Sequence, residues 1–211
     1  MREDTAAIER YTHESGAQSR GSAASDVAIP MTNRDIVYVA LFAALVAVLG
    51  LIPPIPLPVV PVPITAQSLG VMLAGSVLGM RRGGLALLVF LVLVAMGLPL
   101  LSGGRGGIGV FLGPSGGFVL AFPLAAAVIG GLTQRLWKRL NAPLAFGINV
   151  MGGIGVLYSI GVPWLAIATD LSLLQAAQTS TAFIPGDLVK AAIAAVAVVT
   201  VKRAYPAMPQ P

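Results

Sequence analysis

The sequence predicts an all-α integral membrane protein with six transmembrane helices and both termini in the cytoplasm. Of its 211 residues, 56% are hydrophobic and only 10% are charged, and the mean hydropathy is +0.89. A soluble domain usually carries about 25% charged residues. Basic residues also gather in alternate connections between the apolar runs, and this pattern predicts the orientation of the chain in the bilayer.

Two tails flank the predicted membrane domain, which we place at residues 31–205. Residues 1–30 interleave charged side chains with Ser, Gly, Ala and Gln, a composition that buries too little apolar surface to order itself. We therefore predict a flexible polar N-terminal tail, and a short C-terminal tail at 206–211. The N-terminal tail has no basic segment followed directly by an apolar core, so it does not resemble a secretory signal peptide.

Six apolar runs are predicted to cross the bilayer as helices. At about 1.5 Å per residue, a helix needs about 20 apolar residues to cross a hydrocarbon core of about 30 Å. Segments rich in proline, glycine or basic residues separate the runs and interrupt the helices. The predicted spans lie near residues 35–52, 64–80, 83–101, 117–134, 143–168 and 183–202.

Basic residues mark one side of the predicted bundle. With six spans, all the basic clusters beside the spans fall on the same side, which the positive-inside rule assigns to the cytoplasm. The net charge of +5 therefore reflects topology anchors, and it does not indicate nucleic acid as a partner. The anchors are Arg34, Arg81, Arg82, Arg135, Lys138, Arg139, Lys202 and Arg203.

The composition argues against catalysis and against a metal site. The chain has no cysteine, and its single histidine, His13, lies in the polar tail. An intramembrane enzyme would need a paired acid and base, and beyond residue 36 the predicted spans hold one acidic residue, Asp187. A P-loop motif is also missing. The sequence therefore predicts no enzyme, no metal and no cofactor, and energy from ATP would come from another subunit.

The outer side receives three connections with few charges, at 53–63, 102–117 and 169–182. Prolines stiffen the first connection, and glycines in the second allow backbone to approach a ligand closely. Arg105 is the single charge in the glycine-rich connection. A glycine-rich segment can equally form a tight turn without a ligand, so this feature alone leaves both interpretations open.

A charged pair is predicted near the outer end of the last span. Asp187 and Lys190 are three residues apart and therefore share one helix face. Topology places Arg105 on the same side, so two positive charges and one negative charge leave a surplus of +1. A monovalent anion would balance this surplus, and Gln67 would add an amide to the same pocket. Alternatively, Asp187 and Lys190 neutralise each other in a purely structural role.

Four segments resemble the BioY family, the biotin-binding S components of energy-coupling-factor (ECF) transporters. The resemblance covers nearly everything after the tail, and its motifs occur in the family's order. It implies six helices, an outward-facing biotin site under connecting loops, and a location in the bacterial cytoplasmic membrane. The segments are VPITAQSLGVMLAGSVLG at 62–79, GLPLLSGGRGGIGVFLGPSGGF at 97–118, LYSIGVPWL at 157–165 and FIPGDLVKA at 183–191.

The resemblance also implies which residues bind biotin, namely Gln67, Arg105, Asp187 and Lys190, with Tyr158 as a further candidate. Biotin is a monocarboxylate whose ureido ring offers two N–H donors and one carbonyl acceptor. Our hypothesis is that Asp187 and Gln67 bind the ureido ring. Arg105 or Lys190 would meet the carboxylate, and the sequence leaves the choice between them open.

Small residues on the first span predict a contact surface for another membrane helix. Ala40 and Ala44 form one small-residue pair, and Ala43 and Ala47 form another. The resemblance implies that such a face docks the transmembrane scaffold, or T component, which carries two ATPase subunits. The alternative is packing against another helix of the same chain, because small residues four apart are common in membrane bundles.

Two other functions stay open at the level of the sequence. An S component for a different small vitamin would keep the fold but would need different chemistry in the outer loops. A structural or channel protein belongs to another class, and it is disfavoured because a pore needs a repeated polar lining that these spans lack. The predicted partners are therefore biotin, the other transporter subunits and the lipid bilayer.

Overall fold

A computed structural model describes residues 31–56 and 61–205 of the chain. Helices make up most of these segments, and two isolated antiparallel bridges join Ile55 to Ile64 and Leu101 to Arg105. The all-α prediction is therefore confirmed for the described residues. The predicted tails at 1–30 and 206–211 lie outside the described residues.

The described chain forms a succession of α-helices that 3₁₀ turns and one π-helix connect in places. They are α1 (Asn33–Gly50), α2 (Gln67–Ala95), α3 (Gly109–Leu112), α4 (Gly116–Leu120), α5 (Phe122–Arg135), α6 (Ala142–Val150), α7 (Leu157–Ala168), α8 (Leu173–Ser180) and α9 (Ile184–Ala204). The π-helix, Met151–Val156, links α6 to α7 without a break, so these three elements form one long rod.

Helix α2 folds back on itself at Gly79. This residue has φ 82° and ψ −174°, a backbone conformation that glycine adopts far more readily than other residues. A Cβ placed on Gly83 would lie 2.8 Å from the carbonyl oxygen of Ala74. In a continuous helix, residues nine apart are separated by about 13 Å. The two arms of α2, residues 67–78 and 80–95, therefore run side by side in opposite directions.

Helix α5 fixes this turn in place. A Cβ on Gly130 of α5 would come within 2.2 Å of the carbonyl carbon of Gly79, so the close approach of turn and helix requires a residue without a side chain. The side-chain oxygen of Gln134, also on α5, accepts a hydrogen bond from the backbone N–H of Met80 at 3.2 Å. This bond satisfies a donor that the helix break leaves without an intrahelical partner.

Apolar side chains face outward as well as inward. Exposed leucine, isoleucine and valine side chains lie along α1, α2 and α9, as expected for surfaces that meet lipid. Four helical segments of the described chain are long and apolar enough to cross a membrane. They are Asn33–Gly50, Gln67–Ala95, Ala142–Ala168 and Leu173–Ala204. The folded α2 contains the spans predicted near 64–80 and 83–101, while α4 and α5 occupy the span predicted near 117–134.

One outer connection is more ordered than the sequence analysis predicted. The segment at 169–182 was expected to be a loop, and it contains the helix α8. Ser172 accepts a hydrogen bond from the backbone N–H of Gln175, and the Gln175 side chain accepts one from the backbone N–H of Ser172. This reciprocal capping box supplies partners for the free donors of the first turn, so the helix starts at a sharply defined point.

An ion pair and the hydrogen bonds of one lysine tie elements together at one end of the bundle. The Arg82 guanidinium, just beyond the α2 turn, lies 2.6 Å from the carboxylate of Asp35 on α1. Lys202 near the end of α9 donates to the backbone carbonyls of Lys138 and Leu140, at 3.4 and 2.9 Å. A cavity opens at the opposite end of the bundle, lined in part by residues 62–65 and by Arg105 and Ser115 of the glycine-rich connection.

Candidate ligand-binding site

A cavity lies where α2, α7 and α9 meet the proline-rich and glycine-rich connections. Its apolar wall includes Phe118, Phe122 and Phe183, and the rings of Phe118 and Tyr158 meet edge to face with centroids 5.7 Å apart. An apolar enclosure with a few polar groups is the usual form of a small-molecule site. The polar side chains on its wall are Thr65, Gln67, Ser68, Arg105, Ser115, Tyr158, Asp187 and Lys190.

Helix α9 places an ion pair in this cavity. Pro185 stands at its first turn, where a residue without an N–H is tolerated and where the helix dipole favours a carboxylate. Asp187 is 6% exposed, and its Oδ1 accepts a hydrogen bond from Nζ of Lys190 at 2.9 Å. The predicted pair on one helix face is therefore observed.

Two hydroxyl groups from other helices complete the pair. Ser68 on α2 donates from Oγ to Oδ1 of Asp187 at 3.1 Å and accepts from Nζ of Lys190 at 2.9 Å. Tyr158 on α7 donates from Oη to Oδ2 of Asp187 at 2.7 Å. Three helices thus converge on one carboxylate, and Tyr158 lies directly in the site.

Ser68 is a site residue that the sequence analysis missed. It follows Gln67 within one of the segments that carry the family resemblance. A single serine carries no charge and no periodic signal, however, and its partners lie 119 and 122 residues away along the chain. Only the packing of α2 against α9 brings these groups together.

The pair keeps hydrogen-bonding capacity that faces the cavity. Oδ1 of Asp187 already accepts two hydrogen bonds, whereas Oδ2 accepts one and has room for a second. Lys190 uses two of its three donors, on Ser68 and Asp187. One acceptor and one donor are therefore left side by side for a ligand.

Arg105 reaches the cavity from the glycine-rich connection. Its Nε donates to the backbone carbonyl of Ser102 at 3.2 Å, and Nη1 donates to Oγ of Ser115 at 3.3 Å. Both partners are neutral, and within residues 31–56 and 61–205 no carboxylate forms an ion pair with this guanidinium. Because Asp187 and Lys190 balance each other, the surplus positive charge of the cavity belongs to Arg105.

Gln67 also lines the cavity, but its amide is engaged by the protein. The side chain is 2% exposed. Its Nε2 donates to the carbonyls of Val46 and Leu100, and its Oε1 accepts from the backbone N–H and the hydroxyl of Ser102. The structure therefore brings all five predicted binding residues to one cavity, in two groups that surround Asp187 and Arg105 respectively.

The predicted partner surface divides between two faces of α1. Ala40 and Ala44 are exposed, and so are their neighbours Val37 and Leu41. Ala43 is 4% exposed and belongs to the core of the bundle. Within the described segments, the Ala40/Ala44 pair therefore lies on an outward-facing apolar surface, while Ala43 packs internally.

Comparison with known proteins gives a consistent set of relatives. The BioY family profile matches residues 21–207. A biotin transporter BioY of Rhizobium etli is 48% identical over 184 residues, which cover 85% of this chain and 98% of that protein. A probable biotin transporter BioY of Bacillus subtilis is 48% identical over 170 residues, covering 81% and 91%. The crystal structure of an S-component for biotin from an ECF-type ABC transporter has a TM-score of 0.78 and 34% identity, covering 82% of this chain and 95% of that one.

Proposed function

Since the chain belongs to the BioY family, we propose that it is the biotin-binding membrane subunit, or S component, of an ECF-type vitamin transporter. It is a transport subunit and not an enzyme, so the energy for uptake comes from a separate ATPase module. The observation that carries the assignment is the division of the cavity into a neutral, hydrogen-bonding pair and an arginine without an acidic partner among the described residues.

The ureido ring of biotin binds at the Asp187–Lys190 pair. The spare lone pair on Oδ2 of Asp187 accepts one ureido N–H, and the third donor of Lys190 reaches the ureido carbonyl. Ser68 and Tyr158 hold the carboxylate of Asp187 in place for these two hydrogen bonds to the ureido ring, since both donate to it. A neutral, polar ring suits a site whose own two charges cancel.

The carboxylate of biotin meets Arg105. Lys190 is already neutralised by Asp187, whereas the guanidinium of Arg105 has only neutral partners and keeps three donors free. Guanidinium groups bind carboxylates through two parallel hydrogen bonds, which makes this contact strong and directional. Of the two cations considered from the sequence, the charge balance therefore favours Arg105.

The chain crosses the bacterial cytoplasmic membrane six times, with both termini in the cytoplasm. Support comes from the reversal of α2 at Gly79, which divides one long helix into two arms. The basic anchors Arg81, Arg82, Lys138 and Lys202 gather at the end of the bundle opposite the cavity. By the positive-inside rule that end faces the cytoplasm, so the cavity faces outward.

The T component of the transporter docks on the face of α1 that points away from the bundle. It also carries the two ATPase subunits. Ala40 and Ala44 are exposed there, and their small side chains allow a partner helix to approach closely in lipid. Transport by this chain alone is not part of the proposal, because the energy source lies in those partners.

Equilibrium binding to the purified, detergent-solubilised protein tests the proposed function. Isothermal titration with biotin, thiamin and riboflavin, together with the thermal unfolding midpoint in the presence of each, compares the three vitamins under the same conditions. Biotin alone is expected to bind and to raise the midpoint. Stabilisation by thiamin or riboflavin instead would establish an S component for another vitamin, and no binding of any of the three would reject the proposal.

A further inference from the structure

We infer that Gln67 is a positioning residue for Arg105 and does not itself bind biotin. This inference rests on the proposed function, in particular on the contact between Arg105 and the carboxylate of biotin. It differs from the role first expected for Gln67, which was a hydrogen bond to the ureido ring. A chain of contacts leads from Gln67 through Ser102 to the guanidinium of Arg105.

The amide of Gln67 has no capacity left for a ligand. Its Nε2 donates to Val46 O at 3.2 Å and to Leu100 O at 3.0 Å. Its Oε1 accepts from the backbone N of Ser102 at 3.0 Å and from the hydroxyl of Ser102 at 3.3 Å. A side-chain amide offers two donors and two acceptor lone pairs, so all four are in use. A bond to biotin would require breaking one of these buried bonds.

The surrounding backbone also closes in on this amide. A Cβ on Gly50, the last residue of α1, would lie 2.4 Å from the Leu100 carbonyl oxygen and 3.0 Å from Nε2 of Gln67. The end of α1 therefore packs directly on the amide. Gln67 ties together the end of α1, the start of α2 and the segment that follows α2.

Ser102, which Gln67 holds, in turn contacts Arg105. The carbonyl of Ser102 accepts a hydrogen bond from Nε of Arg105 at 3.2 Å. On the backbone, Leu101 and Arg105 exchange two hydrogen bonds, at 3.0 and 3.2 Å. Of the three residues between them, Gly103 and Gly104 have φ of 79° and 69° and carry no side chain that could anchor the turn. Gln67 therefore holds this turn to the helices by hydrogen bonds, beside the apolar packing of the buried Leu101 side chain.

Fixing the turn prepares Arg105 for the ligand. An arginine without an acidic partner can adopt many rotamers, and ordering it on binding costs free energy. When the turn is held before the ligand arrives, the guanidinium already points into the cavity, where Ser115 supports its other side. Loss of Gln67 should therefore weaken the carboxylate contact and leave the ureido contacts unchanged.

The test compares biotin with biotin methyl ester, which has the same ring system but no negative charge. In the full-length protein, the ratio of the dissociation constants, ester over biotin, measures the carboxylate contact. For the unmodified chain we expect a ratio of about 10 to 100, the range for a hydrogen bond with a charged group. Arg105→Gln should bring the ratio close to 1.

Gln67→Met keeps the approximate volume of the side chain and removes all four hydrogen bonds. We expect the ratio to fall at least about 5-fold, the equivalent of one ordinary hydrogen bond, while the affinity for the ester changes less than about 2-fold. In the double variant with Arg105→Gln, biotin should bind no more weakly than in Arg105→Gln alone, because both changes act on one contact.

Equal weakening of biotin and ester by Gln67→Met would overturn the inference, since a direct ureido contact or a general loss of packing acts on both ligands. If Gln67→Met does not fold, Gln67→Asn decides, because its shorter side chain keeps a polar amide but cannot span from Leu100 to Ser102. A fall in the ratio with unchanged ester affinity then supports the inference, and an unchanged ratio rejects it. Failure of the unmodified chain to bind biotin at all would reject the proposed function itself.

Discussion

Two ion pairs lie at opposite ends of the bundle, and they differ in their surroundings far more than in their geometry. Asp187 and Lys190 are 2.9 Å apart with side chains 8% and 14% exposed, whereas Asp35 and Arg82 are 2.6 Å apart with side chains 11% and 17% exposed. The first pair lines a cavity and receives hydroxyl groups from α2 and α7. The second joins α1 to the α2 turn and lines no part of that cavity.

The difference shows that burial and charge alone do not identify a binding site. Both pairs satisfy the rule that a charge within a membrane protein needs a partner. Nε of Arg82 is also without a hydrogen-bond partner among the described residues, but it is buried in the fold. What distinguishes the outer pair is that its unused hydrogen-bonding groups lie next to open space, beside a cation, Arg105, that has only neutral partners. Variants of the two ends can therefore separate recognition from support of the fold.

The largest effect on binding is expected for Asp187→Asn. The change leaves Lys190 without its counter-charge and replaces an acceptor at the ureido ring, and removing one partner of a buried pair costs about 3 kcal/mol or more. Biotin affinity measured by isothermal titration should fall at least about 100-fold. Asp35→Asn is the matched control, since it should lower the thermal unfolding midpoint and leave the affinity unchanged. Equal losses of affinity in both variants would contradict the division between the two pairs.

Arg105→Gln should have the next largest effect. It removes the charge that we propose balances the carboxylate of biotin. A hydrogen bond with a charged group contributes about 1.5–3 kcal/mol, so the affinity should fall about 10- to 100-fold. Isothermal titration at a fixed salt concentration measures the change. Arg135→Gln, which removes an exposed basic residue outside the cavity, serves as the control and should bind biotin like the unmodified chain. If Arg105→Gln kept its affinity for biotin, Lys190 would be the contact of the biotin carboxylate instead.

Ser68→Ala should weaken binding about 5-fold, because one neutral hydrogen bond contributes about 1 kcal/mol. The hydroxyl holds both members of the outer pair without being charged itself. Ser76→Ala is the counterpart deeper along the same arm of α2, where the hydroxyl donates to Asn149 at 2.9 Å. That variant should reduce stability and keep the dissociation constant for biotin. A larger loss of affinity in Ser76→Ala than in Ser68→Ala would mean that biotin does not bind next to Ser68.

The smallest effect on affinity is expected for Ala44→Trp. Its side chain would project from the exposed face of α1, so biotin affinity should change less than about 2-fold, as for most surface substitutions. Co-purification with the T component should nevertheless be lost, because the bulky ring prevents close helix approach. Ala43→Trp, at a core position, should instead disrupt folding. If Ala44→Trp also abolished biotin binding, internal packing would explain the alanine pair.

Local patterns predicted much of the helical structure. The last span, expected at 183–202, is observed as α9 at Ile184–Ala204, because a proline start and a basic end mark it clearly. The spans predicted near 64–80 and 83–101 put the break between them at Arg81 and Arg82. The observed turn lies at Gly79, since the packing of α5 selects the glycine at which the chain reverses. The π-helix at Met151–Val156 has no comparable signal in the sequence.

The candidate site likewise has contacts that the sequence could predict and contacts that it could not. Asp187 and Lys190 could be paired from sequence because their spacing on one helix is local. The role of Ser68 and the full engagement of Gln67 depend on contacts between residues 21 to 122 positions apart, which no local pattern contains. Sequence reasoning named five candidate residues that the structure places around one cavity, and the packing of the helices determines which of their polar atoms are already bonded within the protein.

The isolated charge of Arg105 has an electrical consequence. With a carboxylate bound, the cavity is neutral overall; when it is empty, one elementary charge remains at the outer end of the bundle. A potential of 100 mV changes the energy of a charge that traverses the whole membrane field by about 2.3 kcal/mol. The free energy of any movement of the cavity through that field would therefore depend on the membrane potential in the vacant protein. With biotin bound, it would be nearly independent of the potential.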